Sequence, residues 1–112
     1  MQMDVEALDG ERARVVLAGR MDVAGTAAVD AALTELSETR QALLIDLARV
    51  DFISSIGLRT LLLAAKRLGR RGGRVVLLHP AKDVEKVLWV SGIAELMPIH
   101  HDADAALAAV LA

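Results

Sequence analysis

Two adjacent hydroxyls, Ser54 and Ser55, stand where an apolar run gives way to a helical pattern. Val50-Asp51-Phe52-Ile53 leads in, and Ile56-Gly57-Leu58-Arg59 leads out. A serine just before a helix is a natural N-cap, its hydroxyl accepting from a backbone N–H of the first turn. Ser54 suits that role, which leaves Ser55 at the first helical position with its hydroxyl free. A phosphate on Ser55 would face unsatisfied N–H groups and the positive end of the helix dipole. It would add about −1.5 to −2 charges without breaking the helix. Arg59 lies four residues on, along the same helical face, and is placed to pair with it. The effect of such a charge falls on binding rather than folding: a change of about 1.4 kcal/mol at an apolar interface is tenfold in affinity. The same residues also fit a plain helix start, with Gly57 serving only close helix–strand packing.

Other residue types offer less chemistry. His79, His100 and His101 are the only histidines. In His100-His101-Asp102 adjacent side chains do not converge on one ion, so a surface turn ahead of a helix is expected. No Ser-His-Asp order, glycine-rich phosphate loop or paired-carboxylate motif stands out. Gly69 to Gly73 ends a helix rather than opening one. Trp89 is expected in the core or half-buried. No catalytic residue, metal or cofactor is expected.

The elements that must position Ser54 and Ser55 follow from periodicity. Val5 and Leu8, with the turn at Asp9-Gly10, suggest a short first strand and a hairpin. Arg12 to Ala18 is the second strand, closed by Gly19. Gly19 to Asp22 is a loop into a helix for which Asp22 and Thr26 are both candidate caps. Val29, Ala32, Leu33 and Leu36 form its apolar stripe, and it ends near Ser37 to Arg40. Ala42 to Leu47 is an apolar run rather than an alternation, the pattern of a covered central strand. After Ser54 the helix buries Leu58, Leu61, Leu62, Ala65 and Leu68, with Arg59, Lys66, Arg67 and Arg70 opposite. Gly72-Gly73 stops it. Arg74 to Leu78 is a further strand. Lys82 to Val90 is a short helix with Val84, Val87 and Leu88 inward. Met97-Pro98-Ile99 is an edge strand, since Pro98 excludes a central one. Asp102 caps a last helix whose apolar face is Leu107, Val110 and Leu111.

The order β-β-α-β-α-β-α-(β)-α predicts an α/β domain, residues 1–112. Its mixed sheet of four to five strands opens with an antiparallel hairpin and carries about four packing helices. Loops that follow parallel strands gather at the strands' carboxyl ends. Gly19 to Asp22, Ala48 to Ser55, and His79 to Lys82 should therefore share one edge.

Composition bounds the function. The 112 residues suffice for one core. Apolar residues reach 54% but aromatics only 2%, which excludes disorder and a base-stacking surface. A formal charge of −2 excludes a basic nucleic-acid binder. There are no cysteines, hence no disulfide or thiolate site. Neither a spanning helix nor a signal peptide is seen, so a cytoplasmic protein without membrane insertion is expected.

Phe52-Ile53-Ser54-Ser55-Ile56-Gly57-Leu58 resembles the phosphorylation-site segment of the STAS domain found in bacterial anti-sigma-factor antagonists. Leu17-Ala18-Gly19-Arg20-Met21-Asp22 resembles the family's Gly-x-x-Asp segment. Gly72-Gly73 and Leu88-Trp89-Val90-Ser91-Gly92-Ile93 match in kind and order. The resemblance implies a STAS fold and an anti-sigma-factor antagonist without catalysis of its own. It would bind an anti-sigma factor that is also a serine kinase and so free a sigma factor. Phosphorylation would release it, and a metal-dependent serine phosphatase would restore it. Ser55 is then the phosphoacceptor, with Ser54 the alternative. Asp22, Ser54, Ser55, Ile56, Gly57 and Arg59 form the partner-binding edge of a chain that is monomeric when free. Many members carry Asp where this chain has Ser54. The rival reading is an unphosphorylated STAS subunit of another assembly, such as a lipid-transport ABC complex. A small nucleotide-binding protein or enzyme would need a pocket motif that this sequence does not show.

Overall fold

In the computed structural model, which describes Met1–Ala112 throughout, strands β1 (Gln2–Ala7) and β2 (Arg12–Met21) open the chain as an antiparallel pair. The Asp9 side chain closes the turn between them. Its carboxylate accepts from the backbone N–H of Glu11 and of Arg12, each at 2.8 Å, and from the Arg12 guanidinium at 3.0 Å. These bonds, that from the Glu11 N–H foremost, hold the Asp9 carboxyl below the ordinary aspartate range.

Helix α1 (Val23–Thr39), strand β3 (Ala42–Ile53), helix α2 (Ser55–Gly69), strand β4 (Arg74–Leu78) and helix α3 (Lys82–Val90) follow. A single 3-10 turn (Ile93–Glu95), strand β5 (Ile99–His100) and helix α4 (Ala103–Leu111) complete the chain. The sheet order is β1-β2-β3-β4-β5, with all pairs after the first parallel. Because parallel strands are added in one direction, crossovers of one hand place their helices on one face. On that face Val29, Leu33, Leu61, Leu68, Val84 and Leu88 pack against Val15, Leu17, Leu43, Ile45, Val75 and Leu77. Each fully buried leucine contributes about 1.5–3 kcal/mol relative to exposure. Helix α4 covers the opposite face, setting Ala106 and Val110 against Ala42, Leu44, Val76 and Leu78. The architecture is the expected mixed α/β sheet with four helices.

Several local expectations need correction. Strand β2 does not close at Gly19 but continues to Met21, and β3 does not end at Leu47 but runs on to Ile53. The residues expected as loop are thus paired strand, with register shifts between Val16 and Ala18 and between Gly19 and Arg20. Each shift inserts one extra residue on β3, so its buried positions fall at Leu47, Val50 and Ile53, three apart instead of two. Ala32 is exposed, and α1 buries Gly25 and Thr26 instead. Helix α4 packs through the narrow Ala106–Val110 stripe, which leaves Leu107 and Leu111 outside. The edge strand sits at Ile99–His100, just after Pro98. Trp89, expected at least half-buried, is 57% exposed.

Trp89 takes part in a tie between α3 and the start of α4. Its Nε1–H donates to Glu85 Oε2 at 3.2 Å, while His101 Nε2 lies 2.6 Å from Glu85 Oε1. The His101 hydrogen bond, with a smaller share from Trp89, lowers the Glu85 carboxyl below the usual glutamate range. The contribution of this group to stability is therefore present above the unfolded-state glutamate pKa and fades as pH falls through the depressed folded value. Trp89 is the only tryptophan, so its emission reports the event. Acidification should change that emission below the normal glutamate range, and His101→Ala should move the transition upward. A transition indifferent to His101→Ala would contradict the tie.

Candidate functional site

The ends of β2 and β3 bring the two helix caps side by side. Asp22 caps α1: its Oδ1 accepts from the Gly25 N–H at 2.8 Å, while the backbone carbonyl of Asp22 accepts from Thr26 N at 2.9 Å. Thr26, the other candidate cap, lies one turn inside the helix. Ser54 caps α2, accepting from the Gly57 N–H at 3.4 Å. Ser54 is also fastened to the end of β2. Its backbone N–H and its hydroxyl both donate to the Met21 carbonyl, at 3.0 and 2.7 Å. Such paired bonds between partly buried groups contribute about 0.5–1.5 kcal/mol each.

Ser55 differs in every respect. It is the first residue of α2, it is exposed, and its hydroxyl has no hydrogen-bond partner in the protein. The hydroxyl of Ser54 is thus occupied by structure and that of Ser55 is available to a reagent. Gly57 explains how α2 comes this close to β2. A Cβ at this position would meet Met21 Cβ at 3.0 Å and Ile53 Cγ1 at 3.1 Å. Any larger residue would have to push Met21 and Ile53 back by a few tenths of an ångström, so glycine suits the close rest of α2 on Met21.

Around Ser55 the surface is apolar at intervals. Ile56 is 41% and Phe52 39% exposed, so both offer apolar area beside Ser55. The Arg20 guanidinium sits 4.3 Å from the Phe52 ring centre, a contact worth about 0.5–1 kcal/mol at an exposed site. Arg20 Nε also lies 3.7 Å from Asp22 Oδ2, a largely solvated pair of little energetic weight. Before Ser54 the chain lines a cleft of about 170 Å³ formed by Asp51, Phe52 and Ile53 with Asp83, Val84 and Val87 of α3. After Ser55 it lines a groove between α1 and α2, through Ile56 and Arg59.

Asp22, Ser54, Ser55, Ile56 and Gly57 therefore share one edge, as the sequence predicts. Arg59 is exposed one helical turn beyond and lines the α1–α2 groove. His79 to Lys82 follow β4 at the same end of the sheet but contribute nothing to the cleft. The first turns of α3 do so instead, through Asp83, Val84 and Val87. Sequence reasoning missed Phe52 and Val87 as surface residues, placing Val87 inward on α3. The signal available for Phe52 was its position beside Ser54. Val87 carried none, because only tertiary packing turns it toward β3. No helix is long and apolar enough to cross a membrane.

Comparison with known proteins gives a consistent result. Residues 5–98 match the family described as "Mlab, STAS domain". A Bordetella bronchiseptica protein named "Putative anti-sigma factor antagonist BtrV" is 32% identical over 110 residues, covering 97% of this chain and 94% of that one. Among solved structures, an anti-sigma factor antagonist from Mycobacterium paratuberculosis aligns with a TM-score of 0.87 at 27% identity, over 99% of this chain and 94% of that one. The Bacillus cell fate determinant SpoIIAA in its phosphorylated form shares the fold, with a TM-score of 0.73 at 22% identity over 93% and 96% of the two chains.

Proposed function

This chain belongs to the STAS domain family, and from that premise we propose that it is an anti-sigma-factor antagonist switched by phosphorylation of Ser55. It acts by binding rather than by catalysis. In this reading the unmodified edge around Ser55 docks on an anti-sigma factor that is also a serine kinase. Docking displaces a sigma factor and so permits transcription. The kinase then transfers the γ-phosphoryl group of ATP to the Ser55 oxygen, with ADP leaving and the hydroxyl proton lost. The product carries about two negative charges in the middle of the docking surface. A serine phosphatase reverses the step by hydrolysis.

The single observation that carries the proposal is the contrast between the two hydroxyls. Ser54 is held at 2.7 Å to the Met21 carbonyl, whereas Ser55 stands free at the first position of α2. Phosphate on Ser55 adds charge where the helix N-terminus favours it. Phosphate on Ser54 would have to break the bond to β2 first. Phe52 and Ile56 supply apolar area beside Ser55, so a new charge there is costly to a docked partner and cheap to the free protein.

The test is displacement. The chain is titrated into preformed complexes of the sigma factors and anti-sigma factors of its source genome, and free sigma factor is followed by size-exclusion chromatography. Release of a sigma factor from one complex is expected. Complexes that all stay intact at excess chain would overturn the proposal. The matched family's description carries the name Mlab and no mention of an antagonist, which leaves a second reading, an unphosphorylated STAS subunit of another assembly such as a lipid-transport complex. Co-purification with a transporter ATPase, together with no phosphate transfer to the chain, would decide for it.

A further inference from the structure

Helices α1 and α2 leave a groove of about 370 Å³ between them, within the usual range of small-molecule sites of roughly 300–1,000 Å³. Val23 on α1 and Ile56 and Leu63 on α2 give it apolar walls. Its charged groups are Arg59 and Asp30, both exposed. Arg59 makes no ion pair, although Asp30 lines the same groove. Asp30 accepts a single long bond, from the Thr60 hydroxyl at 3.4 Å. Thr26 is only 2% exposed, and its hydroxyl oxygen is buried without any hydrogen-bond partner. An unpaired buried hydroxyl is costly to keep, which marks this stretch of α1 as less than fully satisfied.

We propose that this groove binds a small zwitterion with an apolar side chain, of the chemical class of an apolar α-amino acid. The carboxylate pairs with Arg59 and the ammonium with Asp30. The side chain lies against Val23, Ile56 and Leu63. A cation and an anion in one groove select a ligand that carries both charges. A ligand with only one leaves the other protein charge partly desolvated and unpaired. The proposal does not depend on phosphorylation or on any protein partner.

The probes are L-leucine and, in parallel, L-phenylalanine, titrated into the full chain while backbone amide resonances are followed by NMR. Saturable shifts are expected at Thr26, Asp30, Ile56 and Arg59, with Arg59→Gln weakening binding about tenfold. N-acetyl-leucine, which lacks the ammonium, and isoamylamine, which lacks the carboxylate, should each bind about tenfold more weakly than leucine. Two results overturn the proposal: no saturable shift with either amino acid in the millimolar range, or N-acetyl-leucine binding as well as leucine.

Discussion

Ser55→Asp should bind the anti-sigma factor at least about tenfold more weakly than the unmodified chain while melting at the same temperature or slightly higher. The two halves of this result have separate causes. Residue 55 opens α2, where the unsatisfied N–H groups and the helix dipole favour a carboxylate by about 0.3–1 kcal/mol. Stability therefore does not fall. Binding falls because the same carboxylate must be desolvated between Phe52 and Ile56 when a partner closes over them. Calorimetric titration and thermal unfolding followed by circular dichroism measure the two halves on one sample. A Ser55→Asp protein that unfolds at a much lower temperature would contradict the placement of Ser55 as a free first-turn residue. One that binds as tightly as wild type would contradict a charge-operated switch.

Gly25→Ala should be strongly destabilising for so small a change. A Cβ on Gly25 would lie 1.8 Å from the backbone carbonyl oxygen of Arg20 and 3.1 Å from Asp22 Oδ1. No side-chain rotation relieves a contact with a carbonyl, so α1 must shift away from the end of β2. That shift also pulls on the bond from the Gly25 N–H to the Asp22 carboxylate. Overpacking of this kind costs about 3 kcal/mol, against which better helix propensity returns up to about 1 kcal/mol. For a domain of this size the net loss lowers the melting temperature by roughly 10 °C. Gly69→Ala provides the opposite sign, since a Cβ there meets nothing within 4 Å. It should stabilise by a few tenths of a kcal/mol up to about 1 kcal/mol. Two glycine-to-alanine changes that behave alike would show that α1 does not approach Arg20 as closely as described.

The parts of this fold that were legible in the sequence are those where burial writes a simple period. Ala42 to Leu47 and Val75 to Leu78 are covered on both faces, so they read as apolar runs interrupted only by Asp46. Val29, Leu33 and Leu36, and later Leu61 and Leu68, repeat at helical spacing and are buried. The continuation of β3 to Ile53 was not legible, because two bulges replace the period of two by a period of three and leave Arg49, Asp51 and Phe52 outside. The exposure of Trp89 and Leu107 was hidden for another reason. An apolar residue on a short helix does not declare whether a neighbour covers it, and α3 and α4 each bury only two positions.

At the candidate site the cap rule separated Ser54 from Ser55 before any coordinates, since only one residue can precede the first helical turn. The rule could not show that Ser54 also donates to Met21, because that bond joins residues 33 apart in the chain. Nor could it show Asp83 and Val87 facing Asp51 and Phe52 across a cleft. Local chemistry is written in local sequence. The neighbours supplied by a second helix are not.

The central claim is that one particular oxygen, that of Ser55, receives the phosphate. The most direct measurement incubates wild type, Ser54→Ala and Ser55→Ala with the partner kinase and ATP, then locates the phosphate by peptide mass spectrometry. Ser54→Ala gives up the bond to Met21 and the α2 cap, at about 1–2 kcal/mol, but keeps the acceptor. The account predicts phosphate on Ser55 in wild type and in Ser54→Ala, and none in Ser55→Ala. Phosphate on Ser54 in the wild-type chain, or undiminished incorporation by Ser55→Ala, would contradict it.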